Sequence, residues 1–199
     1  MSAEKLDTKI RQDQIIRAAM DLIAAHGLKG LSMAGLARRI GLVPSAIYRH
    51  FRSKDDLIDA MLDFIRAGLL DIVASSRHDT EDAEACLRVL LTRHITFIRE
   101  NHVAPRIIFS EEVYSGKPER KHKLYDIISE YLESVRVIVE DGQEDNIFRS
   151  DVTPQTVAIM FLGLIQPVAI MWHLSDGGFD VTKHAEKTWH MFKDAIKNK

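Results

Sequence analysis

The chain predicts an all-α fold of about nine helices. Three observations carry this: apolar residues recur at helical spacing along nearly the whole length, Gly and Pro punctuate those runs, and no stretch alternates polar and apolar residues as a strand would. The expected architecture is an N-terminal three-helix bundle containing a helix-turn-helix, residues 1–52, and a larger C-terminal helical domain, residues 53–199.

Ile15, Ile16, Ala19, Leu22, Ile23 and His26 share one helical face, and Gly27 closes that first helix. In the segment GLSMAGLARRIGLVPSAIYRHFRSKDDL, Gly30 to Leu57, Ala37 supplies a small residue where a second helix can cross, and Gly41 supplies the turn. Val43 is expected at the N-cap of the next helix with Pro44 at its first position, where a missing N–H costs nothing. Ile47 points back as the apolar anchor, with Tyr48 and Phe51 beside it. Ser53 with Asp56 three residues on reads as a capping box, opening a helix to about Ser75 whose buried stripe runs Leu57, Ile58, Met61, Leu62, Ile65, Leu69 and Ile72. Gly68 in it is either a packing contact or a soft point. SSRHDTEDAE is a loop and helix start, a fifth helix ends near Glu100, and a sixth begins near Val103–Pro105 and breaks at Ser115-Gly116-Lys117-Pro118. The seventh is expected to stop at Asp141-Gly142, Thr153-Pro154 opens an eighth that Gly177-Gly178 ends, and a ninth runs from about Thr182 to Ile196.

A short helix after a glycine turn is common, so geometry by itself does not single out a function. The chemistry behind it does more. Tyr48, Arg49, His50, Arg52 and Lys54 fall within seven residues, and Lys54 stands at a helix N-terminus, where backbone N–H groups already favour an anion. A cation there opposes the helix dipole unless something negative lies between them, and a DNA phosphate meets that need. The whole segment from about Arg11 to Leu62 resembles the DNA-binding domain of the TetR family of bacterial transcription regulators, above all in Ile47-Tyr48-Arg49-His50-Phe51 with Lys54 and Leu57 behind it. The resemblance implies phosphate contacts at Ser32, Tyr48, His50 and Lys54, and base contacts at Ala34, Val43, Pro44, Ser45 and Ala46. Positions 43, 45 and 46, often Ser or Thr, Gly and Thr in the family, are Val, Ser and Ala here. Only Arg49 could then make a bidentate base contact, so thymine methyl contacts and DNA shape gain weight.

Residues 1–56 hold ten Lys/Arg against six Asp/Glu, a net of +4; with −2 for the whole chain, residues 57–199 carry −6. A basic head on an acidic body suits localised nucleic-acid contact. The N-terminus lacks a signal-peptide apolar core, so a cytoplasmic protein is expected. Cys86 is the single cysteine and sits on an apolar stripe, the nine histidines show no His-x3-His spacing, and no glycine-rich phosphate loop is present. Neither enzyme chemistry, nor a metal, nor a cofactor is expected.

For the C-terminal domain the resemblance implies a mostly apolar pocket for a small hydrophobic effector and a homodimer built on the last two long helices. Candidate pocket residues are His94, Phe97, Phe109, Tyr125, Met160, Gln166 and Met171. The candidate interface is Phe161, Leu164, Ile165, Val168 and Trp172 with Trp189, Phe192 and Ile196. Val157–Leu174 is nearly long and apolar enough to span a membrane, but Gln166, Pro167, His173 and acidic flanks favour burial between a domain core and a partner subunit. Pro167 also leaves the Gly163 carbonyl without its helical donor. The expected function is a ligand-responsive repressor that binds a palindromic operator on double-stranded DNA as a dimer. The alternatives are a helical protein-interaction module and a small-molecule-binding protein that does not act through DNA.

Overall fold

The structure, a computed structural model, describes residues 3–101, 103–108, 110–113 and 117–198. The helices are α1 (Ala3–His26), α2 (Met33–Arg39), α3 (Pro44–Tyr48), α4 (Lys54–His78), α5 (Ala83–Glu100), α6 (Ala104–Ile108), α7 (Pro118–Glu144), α8 (Pro154–Leu174) and α9 (Val181–Ile196), with a 3₁₀ turn at Leu28–Gly30 after α1. They form two compact units: Met1–Arg66 with Asn101–Lys121, and Ala67–Glu100 with His122–Lys199.

In the first unit α2 packs on α1 and α3 on α2, around Ile15, Ala19, Ile23, Leu36, Ala37 and Ile47. Gly41 makes the turn at φ +68°, the left-handed conformation that a side chain disfavours. Val43 is the N-cap of α3 and Pro44 its first residue, as the sequence predicts. Val103, Ala104, Ile107 and Val113 are buried, and Arg106 donates to the Ala24 carbonyl near the end of α1 at 2.6 Å.

The second unit is built on α5, α8 and α9, which pack on one another, with α7 contributing Tyr131, Val135, Ile138 and Val139 to the same core. Cys86 is buried in this core, and burial raises its thiol pKa above the usual value, as befits an inert packing residue. α8 is the one helix among the described residues long and apolar enough to cross a membrane, yet Val157, Ala158, Phe161, Ile165, Val168 and Ala169 are buried in the core.

Two helices run further than the sequence suggests. α4 continues to His78, and α7 passes through Asp141-Gly142 to Glu144. Gly142 is there for space rather than termination: a Cβ on it would lie 2.3 Å from the Phe148 ring and 2.8 Å from Ala83 Cβ. Gly68 is likewise a packing contact, because its Cβ would fall 2.3 Å from the Phe97 ring. For Gly142→Ala the helix-propensity gain is about 1 kcal/mol and overpacking costs about 1–3 kcal/mol. The variant should therefore lose about 1 kcal/mol in urea titrations; an unchanged or higher midpoint would show that the Phe148 ring yields freely.

Candidate nucleic-acid interface and effector domain

The basic surface is made by α2, α3 and the chain leading into α4. From Lys29 to Lys54 there are six Lys/Arg and no acidic residue. Ser32 caps α2, its hydroxyl accepting from the Gly35 N–H at 3.1 Å, and Ala34, Arg38 and Arg39 are exposed on that helix. On α3 the apolar side faces in and the other out: Val43, Pro44, Ser45, Tyr48 and Arg49 are exposed and His50 is half-buried. Ala46 departs from the expected set, since it is 7 % exposed and packs beside Ile47. It adjoins the anchor Ile47 on this short helix and is covered with it.

The entry to α4 is tied down from both sides. Ser53 Oγ accepts from the Asp56 N–H at 3.0 Å, and Asp56 Oδ2 accepts from the Arg52 N–H at 3.1 Å. Asp56 reaches one residue further back than the predicted capping box requires. Lys54 Nζ donates to the Leu28 carbonyl at 2.8 Å. The 3₁₀ turn thus supplies the negative partner that makes a cation tolerable at the start of α4, and two of the three ammonium N–H groups remain for a phosphate. One turn on, Asp55 and Asp59 meet Arg120, a guanidinium only 3 % exposed, at 3.0 and 2.8 Å. Arg120 also donates to the Asp55 and Glu112 carbonyls, and Lys117 pairs with Asp55 at 2.8 Å. Hydrogen bonds from Lys117 and then Arg120 hold the Asp55 carboxyl below its ordinary pKa. This cluster lies about sixty residues apart in sequence, and no local pattern announces it.

In the second unit the predicted pocket residues separate. His94 is buried with its Nδ1 2.8 Å from the Tyr131 hydroxyl, and Phe97 is half-buried over Gly68. Tyr125, Met160, Gln166 and Met171 are exposed, so within this unit they line the surface and not its interior. Phe109 lies outside the described residues. Among the described residues no group of His, Cys, Asp and Glu is disposed to hold a metal ion.

The predicted dimer interface needs a correction. Phe161, Ile165 and Val168 of α8 and Trp189, Phe192 and Ile196 of α9 are buried in the unit's own core, with the Phe192 ring 5.8 Å from Phe161 and 6.0 Å from Trp189. Leu164 and Trp172 are half-buried against it. α9 has one apolar face and spends it on the core, whereas α8, apolar all round, fills the core with one face and leaves Ile159, Met160, Ile170, Met171 and Leu174 outside.

Comparison with known proteins agrees with this organisation. Residues 15–61 match the family described as bacterial regulatory proteins, tetR family, and residues 66–195 match the YsiA-like protein C-terminal region. The HTH-type transcriptional repressor KstR2 of Rhodococcus jostii is 27 % identical over 190 residues, covering 94 % of this chain and 91 % of that one. The fatty acid degradation regulator FadR of Bacillus halodurans superposes with a TM-score of 0.80 at 22 % identity, over 92 % of this chain and 94 % of the other. FadR of Bacillus subtilis in complex with stearoyl-CoA gives 0.77 at 19 % identity, over 92 % and 98 %. The family matches span both units, and the chain belongs to the TetR family of bacterial regulatory proteins, which are DNA-binding, ligand-responsive transcription regulators and not enzymes.

Proposed function

We propose that this regulator is a cytoplasmic homodimeric repressor that holds a palindromic operator and releases it when a long-chain acyl-CoA occupies its C-terminal domain. Residues 1–52 read DNA and residues 53–199 bind the effector and the partner subunit. The observation that carries the effector class is the full-length likeness to the FadR structures, one of them in complex with stearoyl-CoA. The homodimer rests on the exposed apolar face of α8 and on geometry: one short α3 spans few base pairs, and two placed a helical turn apart read a palindrome. α4 begins at the phosphate-contact cluster and ends in the second unit, which supports it as the element that carries effector binding to the DNA-facing surface. To shift a two-state equilibrium the effector must prefer the released state, and a hundredfold preference corresponds to about 2.7 kcal/mol.

Fluorescence anisotropy with DNA from upstream of the chain's own gene tests this reading, with a scrambled duplex as control. Tight, selective binding that stearoyl-CoA reverses is the expected result; equal, weak binding to both duplexes with no response to stearoyl-CoA counts against it. Tyr48→Phe and Lys54→Ala should each weaken binding to every sequence alike. Losing Lys54 should lower the slope of log affinity against log salt by about one. An unchanged slope for Lys54→Ala would remove Lys54 from the phosphate contacts.

A further inference from the structure

One polar pair interrupts the apolar core of the second unit. His94 on α5 is 6 % exposed and Tyr131 on α7 is 2 % exposed, with the rings edge to face at 5.1 Å. One turn away on either side the neighbours are buried and apolar: Leu90 and Ile98 on α5, Ile127 and Val135 on α7. The imidazole has two ring nitrogens and the chain engages one of them, Nδ1, through the Tyr131 hydroxyl. Every fully buried polar side-chain atom among the described residues has a partner. Nε2 has none among the described residues, so the chain does not fully enclose it.

Proton counting allows the pair two arrangements. If Tyr131 donates to Nδ1, the neutral imidazole carries its proton on Nε2 and offers an N–H. If Nδ1 donates to the phenol oxygen, the phenol keeps an O–H to give. In the first the spare donor is at Nε2 itself, and an unmet donor in an apolar setting costs as much as a lost hydrogen bond; in the second Nε2 is a bare acceptor and the spare donor is the phenol O–H. The complement of the first arrangement is a hydrogen-bond acceptor attached to an apolar body.

We propose that the His94–Tyr131 pair is the polar anchor of the effector site, donating a hydrogen bond to the carbonyl oxygen of an acyl thioester. This rests on the acyl-CoA reading above and adds to it the atom that is recognised. The acceptor is an uncharged carbonyl and not a carboxylate. Burial depresses the His94 pKa to about 3 and raises that of Tyr131, so both groups are neutral at physiological pH. Neither can then balance a carboxylate in the core, where an unpaired charge is costly. The chain thus distinguishes the activated acyl group from the free acid by hydrogen bonding without charge.

The test compares stearoyl-CoA with its thioether, S-octadecyl-CoA, which keeps the chain and the nucleotide but lacks the carbonyl. Calorimetry on the full-length wild-type protein should find the thioester bound about tenfold more tightly. In His94→Leu and in the His94→Leu/Tyr131→Phe double variant, each checked for native helicity and cooperative melting, that ratio should fall toward one while thioether affinity stays within about twofold. Equal binding of both ligands by the wild type would overturn the anchor and leave the acyl-CoA reading in place. Binding of neither would overturn both. A tenfold preference that survives in both variants would place the carbonyl contact on other residues and overturn the assignment.

Discussion

Ile159→Asp combined with Ile170→Asp should convert the protein to a folded monomer and lower operator affinity by about 10²–10⁴-fold. The two positions lie three turns apart on the outer face of α8, both exposed and away from the core that Phe161 and Ile165 fill on the inner face. Adding carboxylates there therefore leaves the unit's packing intact, and circular dichroism should be unchanged. The same charges on a face pressed against its own copy would meet across the symmetry axis in an apolar contact, and neither desolvation nor repulsion would be compensated. DNA binding suffers although the substitutions are far from α3 in sequence, because a dimer's second head binds its half-site at the high effective concentration set by the first. Sedimentation velocity and anisotropy on the same sample provide the check. A variant that stays dimeric and binds the operator with wild-type affinity would remove this face from the interface.

The contrast between α3 and α8 explains what can be read in the sequence. The turn at Gly41, the Val43 cap with Pro44 after it and the Ser53–Asp56 hydrogen bond are all settled within a few residues, and each was legible from residue type and spacing. The amphipathic helices were legible too, since a single apolar stripe has only one way to face. α8 carries apolar residues on every side, so its pattern holds no information about which side turns inward: Met160, Gln166 and Met171, expected in the pocket, are outside, while Phe161, Ile165 and Val168, expected at the interface, are inside. Gly142 misleads for a related reason, as the ring that excludes a side chain there belongs to Phe148, beyond the end of the helix. His94 stood out as a polar residue on an apolar face, but Tyr131 was indistinguishable from the core stripe of α7 until the fold brought the two together. Long-range pairs of this kind leave no local periodicity to detect.

Arg120→Ala should destabilise the first unit by about 2–4 kcal/mol and weaken operator binding as a consequence. The guanidinium is 3 % exposed and directs Nε to Asp59, one terminal nitrogen to the Asp55 carboxylate and carbonyl, and the other to the Glu112 carbonyl. Removing it takes one guanidinium away from two carboxylates in the first two turns of α4 and from two carbonyls at once. The lower end of the range reflects the partial exposure of Asp55 and Asp59, whose charges water can still screen. Arg120→Lys should recover only part of the loss, because a compact ammonium cannot reproduce a planar fork that reaches Asp55 and Asp59 together. Acid adds a second signature. Asp55 has its pKa lowered in the folded chain from an ordinary value of 3.8, so its contribution is fully present above about pH 4 and disappears as pH falls through the lowered value. Urea midpoints measured from pH 6 to pH 3 should therefore fall in the wild type and fall less in Arg120→Ala, which has already lost one of the two cations that favour the carboxylate. Parallel curves, or a loss under about 0.5 kcal/mol at pH 6, would mean that Lys117 alone sustains the cluster. The expected result ties stability to function through one short piece of helix: Asp55 follows Lys54 directly, so the contacts that fix the start of α4 also fix the ammonium proposed to meet DNA.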